Sequence, residues 1–265
     1  MPPVNSRSRV AVVTGAAAGI GAAVARMLAS DGYSLALLDR DGVELSSVAA
    51  ELAVTYGGEI VTYVVDVTDR DGVDMAIESV VERFGTIDAL AHAAGVLDTG
   101  AVLDSDPSVW RNVFNVNVFG LLNVMQSVGR VMRTRRVGSI VVVSSNAAGI
   151  PRIGMGAYGS SKAAATMLVR TAGLELAGDG IRVNVVAPGS TDTAMQRSLW
   201  VDPNGDAGAQ AVIEGNLAAY RLGIPLGKLA TAADIADSVH FLLSDRAAHI
   251  TMQALYVDGG ATLKA

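Results

Sequence analysis

The sequence predicts a single-domain α/β fold in which a doubly wound parallel sheet carries helices on both faces. Seven short apolar runs bounded by turn residues indicate buried strands, over residues 10–14, 34–39, 60–66, 89–93, 139–144, 183–187 and 254–257. Segments with helical periodicity lie between them, over residues 20–30, 43–56, 71–84, 109–133, 157–177 and 233–243. Because buried strands alternate with amphipathic helices, we expect right-handed βαβ units and one domain over residues 1–265.

Composition and charge exclude several classes of protein. The 265 residues are 51% hydrophobic and 17% charged, with a net charge of -6 and a pI near 5.0. The chain is too apolar to be disordered and too acidic to favour a nucleic-acid partner. Its one basic cluster, residues 133–136, is typical of a helix C-terminus, where cations oppose the helix dipole. Without cysteine, and with three scattered histidines, the sequence predicts neither a disulfide nor a metal site.

The N-terminal region lacks the pattern of a signal peptide. Its first nine residues are polar and include two prolines, and no apolar run of the chain reaches the length of a membrane span. We therefore expect a cytoplasmic protein without a membrane partner. The apolar composition also favours contacts between subunits of a homo-oligomer.

The strand pattern stops for about forty positions after the sixth predicted strand. Turn residues cluster at 202–208 within this stretch. Long insertions in compact domains are usually functional, and open α/β sheets bind ligands at the carboxyl ends of their strands. We interpret residues 189–228 as a lid over the substrate.

A glycine-rich turn follows the first predicted strand, directly before a helix. It contains Gly15, Ala18, Gly19, Ile20 and Gly21. Glycine lets the backbone approach a pyrophosphate, and the helix N-terminus presents free N–H groups to it. The strand–turn–helix context predicts a Rossmann-type dinucleotide site.

Acidic residues at the next strand ends favour NAD as the cofactor. Asp39 ends the second predicted strand, where a carboxylate can bind the adenosine ribose hydroxyls and repel a 2′-phosphate. Arg40, which follows it, is the alternative: it would accept that phosphate and favour NADP. Asp66 ends the third predicted strand and is a candidate for the adenine amine, or only the start of a turn.

Tyr158 and Lys162 form a candidate acid/base pair. They are four residues apart on a predicted helix, so their side chains share one face. Tyrosine titrates near pH ~10, and a neighbouring ammonium that stabilises the phenolate makes it a better base at neutral pH. Ser144 and Ser145, at the end of the fifth predicted strand, offer hydroxyl donors to a reacting oxygen.

Together these motifs resemble the short-chain dehydrogenase/reductase family over nearly the whole chain. The resemblance rests on the glycine turn, Ser145 thirteen residues before Tyr158, Tyr158-Gly-Ser-Ser-Lys162, Asn117-Val-Phe-Gly120 and Pro188-Gly189. It implies a nicotinamide-dependent oxidoreductase. It also implies a homotetramer, with helices 109–133 and 157–177 as the contact surfaces.

The resemblance assigns roles to individual residues. Tyr158 would be the general acid/base, while Lys162 would lower its pKa and bind the ribose. Ser145 would bind the reacting oxygen, and Asn117 would anchor a proton-relay water. Further cofactor contacts would come from Val67, Ala93, Ala94, Gly95, Pro188, Gly189, Thr191 and Thr193. Asn117 as a helix-kink residue and Pro188-Gly189 as a simple turn remain open.

One position departs from the family pattern. The family usually has two adjacent asparagines before Ala-Gly after the fourth strand, whereas this chain has His92-Ala93-Ala94-Gly95. His92 is either a second acid/base or, as we expect, a packed histidine that is hydrogen-bonded in support of its strand.

The loops that would face the substrate carry a finer resemblance. Residues 151–155, 189–200, 222–228 and 257–260 are similar to those of family members that oxidise 2,3-dihydro-2,3-dihydroxybenzoate. The implied reaction yields aromatic 2,3-dihydroxybenzoate for siderophore or secondary-metabolite biosynthesis. Substrate contacts are expected from Arg152, Met155, Met195, Gln196, Arg197 and Leu199. Arg152 is the favoured carboxylate anchor, and Arg197 is the alternative after closure of the lid.

Other functions remain open at this stage. The substrate of the second candidate, 2,3-dihydro-3-hydroxyanthranilate, carries an amine in place of one hydroxyl, and His92, Asn146, Asp202 and Asp206 are positions where that difference would be recognised. A generic carbonyl reductase would favour NADPH, against which Asp39 argues. A non-catalytic cofactor-binding protein would have little reason to keep Ser145, Tyr158 and Lys162 together.

Overall fold

Seven parallel strands form one sheet in the order β3-β2-β1-β4-β5-β6-β7 in the computed structural model, which describes residues 8–263. The strands are β1 (Val10–Thr14), β2 (Ser34–Asp39), β3 (Ile60–Val64), β4 (Ala89–His92), β5 (Gly138–Val143), β6 (Ile181–Pro188) and β7 (Ala254–Val257). The order reverses between β1 and β4, so a crevice opens at the carboxyl ends of these two strands.

Nine α-helices connect or follow the strands within the described residues. They are α1 (Gly19–Ser30), α2 (Gly42–Tyr56), α3 (Arg70–Phe84), α4 (Pro107–Phe114), α5 (Leu121–Arg135), α6 (Gly156–Ala177), α7 (Ala194–Arg197), α8 (Ala207–Glu214) and α9 (Ala232–Leu243). Side-chain caps explain several starts: Asp41, Asp69 and Asp106 accept from N–H groups of α2, α3 and α4, and Thr231 forms a capping box with Asp234.

Two apolar layers cover the sheet. Ala11 and Val13 of β1 point into a layer with buried residues of α1, α2 and α9. Val10 and Val12 point to the opposite face, which is covered by α3, α5 and α6. This alternation confirms the doubly wound fold class predicted from the sequence.

The predicted strands all form, and three of them match the structure residue for residue: β1, β2 and β7. Asp66, Ser144 and Ser145 were predicted as strand ends, but they lie just beyond β3 and β5, where the chain has already left the sheet for a loop. Arg133 and Arg135 lie in the last turn of α5, as the sequence predicted for the basic cluster. None of the described helices is long and apolar enough to cross a membrane.

Residues 109–133 are helical throughout, as predicted, but they do not form a regular α-helix over the whole length. A π-helical turn, Asn115–Gly120, separates α4 from α5. Gly120 packs closely against the loop that follows β3. A Cβ atom at position 120 would come within 2.6 Å of Val67 Cγ2. The wider turn places Asn117 inward at this point, and hydrophobic periodicity cannot reveal such a local change in pitch.

Gly85→Ala is expected to destabilise the protein by about 1 kcal/mol, because Gly85 ends α3 with a φ of 76°. No atom lies within 4 Å of the added Cβ, so backbone strain is the main change. Gly178, after α6, has equally open surroundings and a φ of -62°, so Gly178→Ala is expected to be neutral or slightly stabilising. Urea unfolding of the two variants tests this, and equal midpoints would contradict it.

Candidate active site

A cleft of about 390 Å³ opens at the carboxyl ends of the central strands. It is lined by all the predicted cofactor residues, together with Ser145, Arg152, Met155, Met195, Gln196 and Leu199. Asn117 and Arg197 are the two predicted site residues that do not line it. Among the described residues, no group of three or more His, Asp or Glu side chains is placed to hold a metal ion.

The glycine turn forms one wall of the cleft. Gly15 has a φ of 67°, and a Cβ atom on it would approach the backbone nitrogen of Ala94 to 2.7 Å. Behind this turn, α1 begins without a side-chain cap and without an acidic residue in its first turn. Gly19, Ile20 and Gly21 of its first turn line the cleft, and the N–H groups of a helix N-terminus suit the pyrophosphate of a dinucleotide.

The carboxylate of Asp39 is held in place on the same wall of the cleft. Its Oδ2 accepts from the backbone N–H of Ala17 at 3.0 Å, and its Oδ1 accepts from the N–H of Asp41 at 3.1 Å. These bonds fix the negative charge beside the cleft, with Arg40 next to it. Asp66 accepts hydrogen bonds from the backbone N–H and the hydroxyl of Thr68, which stabilise the turn after β3. It also borders the cleft, so its two predicted roles are compatible.

Tyr158 and Lys162 lie together at the centre of the cleft. Lys162 Nζ is 5.8 Å from the centroid of the Tyr158 ring and donates to the carbonyl of Val143 at 3.2 Å. Burial lowers the pKa of Lys162 to about 8. Ser145 lies in the loop just after β5. Its Oγ accepts a hydrogen bond from the backbone N–H of Ala147.

The phenol of Tyr158 is shielded from water, which raises its pKa because the phenolate loses solvation. A hydrogen bond with Ser145 and the positive charge of Arg152 act in the opposite direction and lower that pKa. The sequence predicted the lowering role for Lys162, which is not among the groups that shift the Tyr158 pKa here; that role stays a prediction.

Asn117 lies beside the cleft and fastens three segments together. Its amide donates to Val96 O at 2.9 Å and to Ser161 Oγ at 3.0 Å, and its Oδ1 accepts from Val96 N at 2.9 Å. The residue therefore ties the loop after β4 to α6 at the π-helical turn. Its position at an irregular helix turn was the alternative prediction, and its proton-relay role stays a prediction.

His92 is a packed residue of β4, as we expected. Its Nδ1 and Thr14 Oγ1 are 2.9 Å apart, and its side chain is buried. Burial, with a contribution from the charge of Lys162, lowers the His92 pKa to about 3. The imidazole is consequently neutral at physiological pH, which removes it as a second general acid.

Arg197 does not reach the cleft, so it is not a carboxylate anchor in this arrangement. Its guanidinium forms two hydrogen bonds with Asp192, at 2.5 and 2.8 Å, and stacks over Trp200 at 5.0 Å. These contacts brace the start of the 189–228 segment. Asp202 and Asp206 do not line the cleft either. Asp202 accepts a hydrogen bond from the N–H of Asn204 within a turn, and Asp206 is the N-cap residue of α8.

Sequence reasoning missed Arg221, which lines the cleft together with Arg152. Burial lowers the pKa of Arg152, and the charge of Arg221 lowers it further. The sequence offered one signal, which is that an arginine directly precedes residues 222–228. Whether this arginine reaches the cleft depends on how the 189–228 segment folds, and the sequence pattern does not show that.

Fold and cleft together define an oxidoreductase with a dinucleotide site. The family model described as "Enoyl-(Acyl carrier protein) reductase" matches residues 15–262. The chain belongs to the short-chain dehydrogenase/reductase family, as its motifs predicted.

Relatives and a solved structure extend this assignment. The chain is 48% identical over 255 residues to the 2,3-dihydro-2,3-dihydroxybenzoate dehydrogenase of Bacillus subtilis (strain 168), covering 96% of each protein. It is 42% identical over 263 residues to the vibriobactin-specific 2,3-dihydro-2,3-dihydroxybenzoate dehydrogenase of Vibrio cholerae, covering 99% of this chain and 98% of the relative. L-Sorbose reductase from Gluconobacter frateurii, solved with NADPH and L-sorbose, superposes with a TM-score of 0.88 at 28% identity, covering 97% and 98% of the two chains. These similarities and the dinucleotide cleft support a nicotinamide cofactor.

Lys162→Met is expected to stabilise the protein at pH 7 by as much as about 3 kcal/mol, at roughly 1.4 kcal/mol per pKa unit, while abolishing activity. The lysine keeps its proton up to a pKa of 10.5 when unfolded but only to about 8 when folded. The folded state thus binds fewer protons between these two values, and wild-type stability rises with pH across that window. Urea unfolding at pH 7 and above pH 10.5 measures the effect; an advantage of the variant that does not shrink with pH would contradict it.

Proposed function

We propose that this protein uses NAD to oxidise 2,3-dihydro-2,3-dihydroxybenzoate to 2,3-dihydroxybenzoate. The observation that carries the proposal is the position of Arg152, a half-buried cation that lines the cleft and lowers the pKa of Tyr158. A cyclic carboxylate bound by this guanidinium would place its ring near the phenol. The exposed apolar side chains of Met195 and Leu199 border the same space.

The chemistry follows from the groups around Tyr158. Bound nicotinamide would accept the hydride from the substrate carbon. Tyr158, as phenolate, would take the proton of the hydroxyl on that carbon, while the Ser145 hydroxyl would hold the same oxygen. The Lys162 ammonium would stabilise the phenolate through the positive charge it places beside the ring. The ring ketone that results enolises to an aromatic phenol, which makes the oxidation effectively one-way.

Asp39 supports NAD in preference to NADP. Its carboxylate is fixed by two backbone N–H groups at the point where the adenosine ribose would lie. A 2′-phosphate would meet this charge at close range, whereas two ribose hydroxyls could donate to it.

The remaining parts of the proposal concern assembly and motion. The π-helical turn before α5 exposes Phe119, and α6 exposes Met167 and Leu174, which favours burial of these surfaces between subunits of a homotetramer. Residues 189–228 would act as a lid, since Thr193 at their start already lies beside Gly19 of the glycine turn. We place the protein in the cytoplasm, where NAD is available.

Purified protein is expected to reduce NAD with 2,3-dihydro-2,3-dihydroxybenzoate, and Tyr158→Phe should lower kcat by about 100- to 10,000-fold because it removes the base. Absorbance of reduced nicotinamide measures both. Tyr33→Phe, which alters a buried tyrosine outside the cleft, is the matched control and should retain activity. Faster turnover of 2,3-dihydro-3-hydroxyanthranilate would assign the amino substrate instead, and no turnover of either would overturn the proposal.

Asp39→Ser is expected to lower kcat/KM for NAD by about 10-fold or more and to raise it for NADP, because a charged hydrogen-bond acceptor is lost and a repulsive charge is removed. Asp41→Ser is the control: it removes the same charge two residues away, where Asp41 caps α2 and does not line the cleft. Steady-state kinetics with both cofactors decide the outcome. An unchanged ratio of the two kcat/KM values in Asp39→Ser would refute the role of Asp39.

A further inference from the structure

Two guanidinium groups share the substrate end of the cleft without an anionic partner. Arg152 lies in the loop before α6, and Arg221 lies in the 189–228 segment. Both also border an adjoining hollow of about 110 Å³, which they share with Ser190. Within residues 8–263, neither guanidinium has a side-chain hydrogen bond or an ion pair, whereas Arg197 is fully engaged by Asp192 and Trp200.

The charges around this pair do not balance within the described residues. Burial lowers the pKa of Arg152, and the nearby positive charge of Arg221 lowers it further. Asp258 is the acid that opposes this effect, but its carboxylate accepts hydrogen bonds from Asn146, Gly260 and Thr262. Two half-buried like charges at one end of a cleft are unfavourable until an anion lies between them.

The backbone holds Arg221 in place. Arg221 and Asn216 form an antiparallel bridge, with N–H to O distances of 2.8 and 2.9 Å. Just outside this bridge, the backbones of Gly215 and Gly223 pass so closely that a Cβ on either would overlap the other strand. Both glycines have φ near 80°, which suits glycine alone at little cost. Arg221 is thus presented from a tightly closed loop.

We propose that Arg152 and Arg221 together bind the carboxylate of a cyclic monocarboxylic acid, one guanidinium to each side of the group, and that Arg221 sets specificity for the carboxylate. This inference rests on the proposed function and extends it, because it makes the 189–228 segment contribute a charge to the substrate site. A neutral ring diol would lack the anion that relieves the repulsion between the two cations. Discrimination between acid and neutral substrates therefore depends on Arg221 as well as on Arg152.

The test compares two substrates and two ligands in the wild type, Arg221→Gln and Arg221→Lys. The substrates are 2,3-dihydro-2,3-dihydroxybenzoate and the matching cyclohexadiene diol without a carboxylate, each with saturating NAD. The ligands are 2,3-dihydroxybenzoate and catechol, titrated calorimetrically into the protein with NADH bound. Arg246→Gln, which removes one positive charge outside the cleft, controls for net charge.

Arg221→Gln is expected to raise KM for the acid and Kd for 2,3-dihydroxybenzoate by about 10- to 100-fold, as befits loss of a charged hydrogen bond. The values for the neutral diol and catechol should change less than about twofold, and kcat should change little. Arg221→Lys should recover part of the loss, since it keeps the charge but not the planar fork. Arg246→Gln should match the wild type.

Each result separates this inference from the proposed function. If the wild type oxidises the acid and Arg221→Gln has the same KM, the Arg221 role is wrong and the proposed function stands. The second outcome is that the wild type oxidises neither substrate but binds 2,3-dihydroxybenzoate, and that Arg221→Gln loses this binding. The carboxylate site then stands and the proposed function fails. Equal losses for acid and neutral compounds would overturn the inference, because they would indicate a general disturbance of the cleft.

Discussion

The close approach of β1 to β4 at their carboxyl ends is the contact on which the rest of the structure depends. Thr14 accepts at its carbonyl from Ala93 N and at its hydroxyl from Ala94 N, and the same hydroxyl pairs with His92. Gly15 then has to lack a side chain, since Ala94 occupies the space of a Cβ. The strand order reverses here, so the dinucleotide cleft exists because these two strand ends are held together.

The proposed catalytic pair costs folding stability at neutral pH, because burial disfavours the Lys162 ammonium. Lys162 is buried and Tyr158 is half-buried, and loss of solvation disfavours the ammonium of the first and the phenolate of the second. Their placement one helical turn apart on α6, beside the end of β5, brings an ammonium, a phenol and the Ser145 hydroxyl into one space. The fold tolerates this because two continuous apolar layers support the sheet around the site.

The elements that sequence could predict are those with a local cause. Buried strands and amphipathic helices have periodic signatures, and the glycine turn is a short motif in a defined context, so the fold, the glycine turn and the Tyr158–Lys162 pair were all predictable. The π-helical turn at Asn117 was not, because a local change in helical pitch has no signature in the hydrophobic periodicity. The pairing of Arg197 with Asp192 and the position of Arg221 in the cleft were not predictable either, because tertiary contacts decide which arginine of a long loop pairs with an acid and which reaches the cleft.

The backbones at Gly215 and Gly223 pass close to each other and so close the loop between them. The loop is closed by the backbone crossing, by the bridge between Asn216 and Arg221 and by the Asn216 side chain, which accepts from the N–H of Ala219, while the side chains of Leu217 and Tyr220 are largely exposed. The exposed side chains of this loop make few contacts with the rest of the fold. If Arg221 binds the substrate as proposed, a substitution in this loop would change the substrate range and leave the cofactor site as it is.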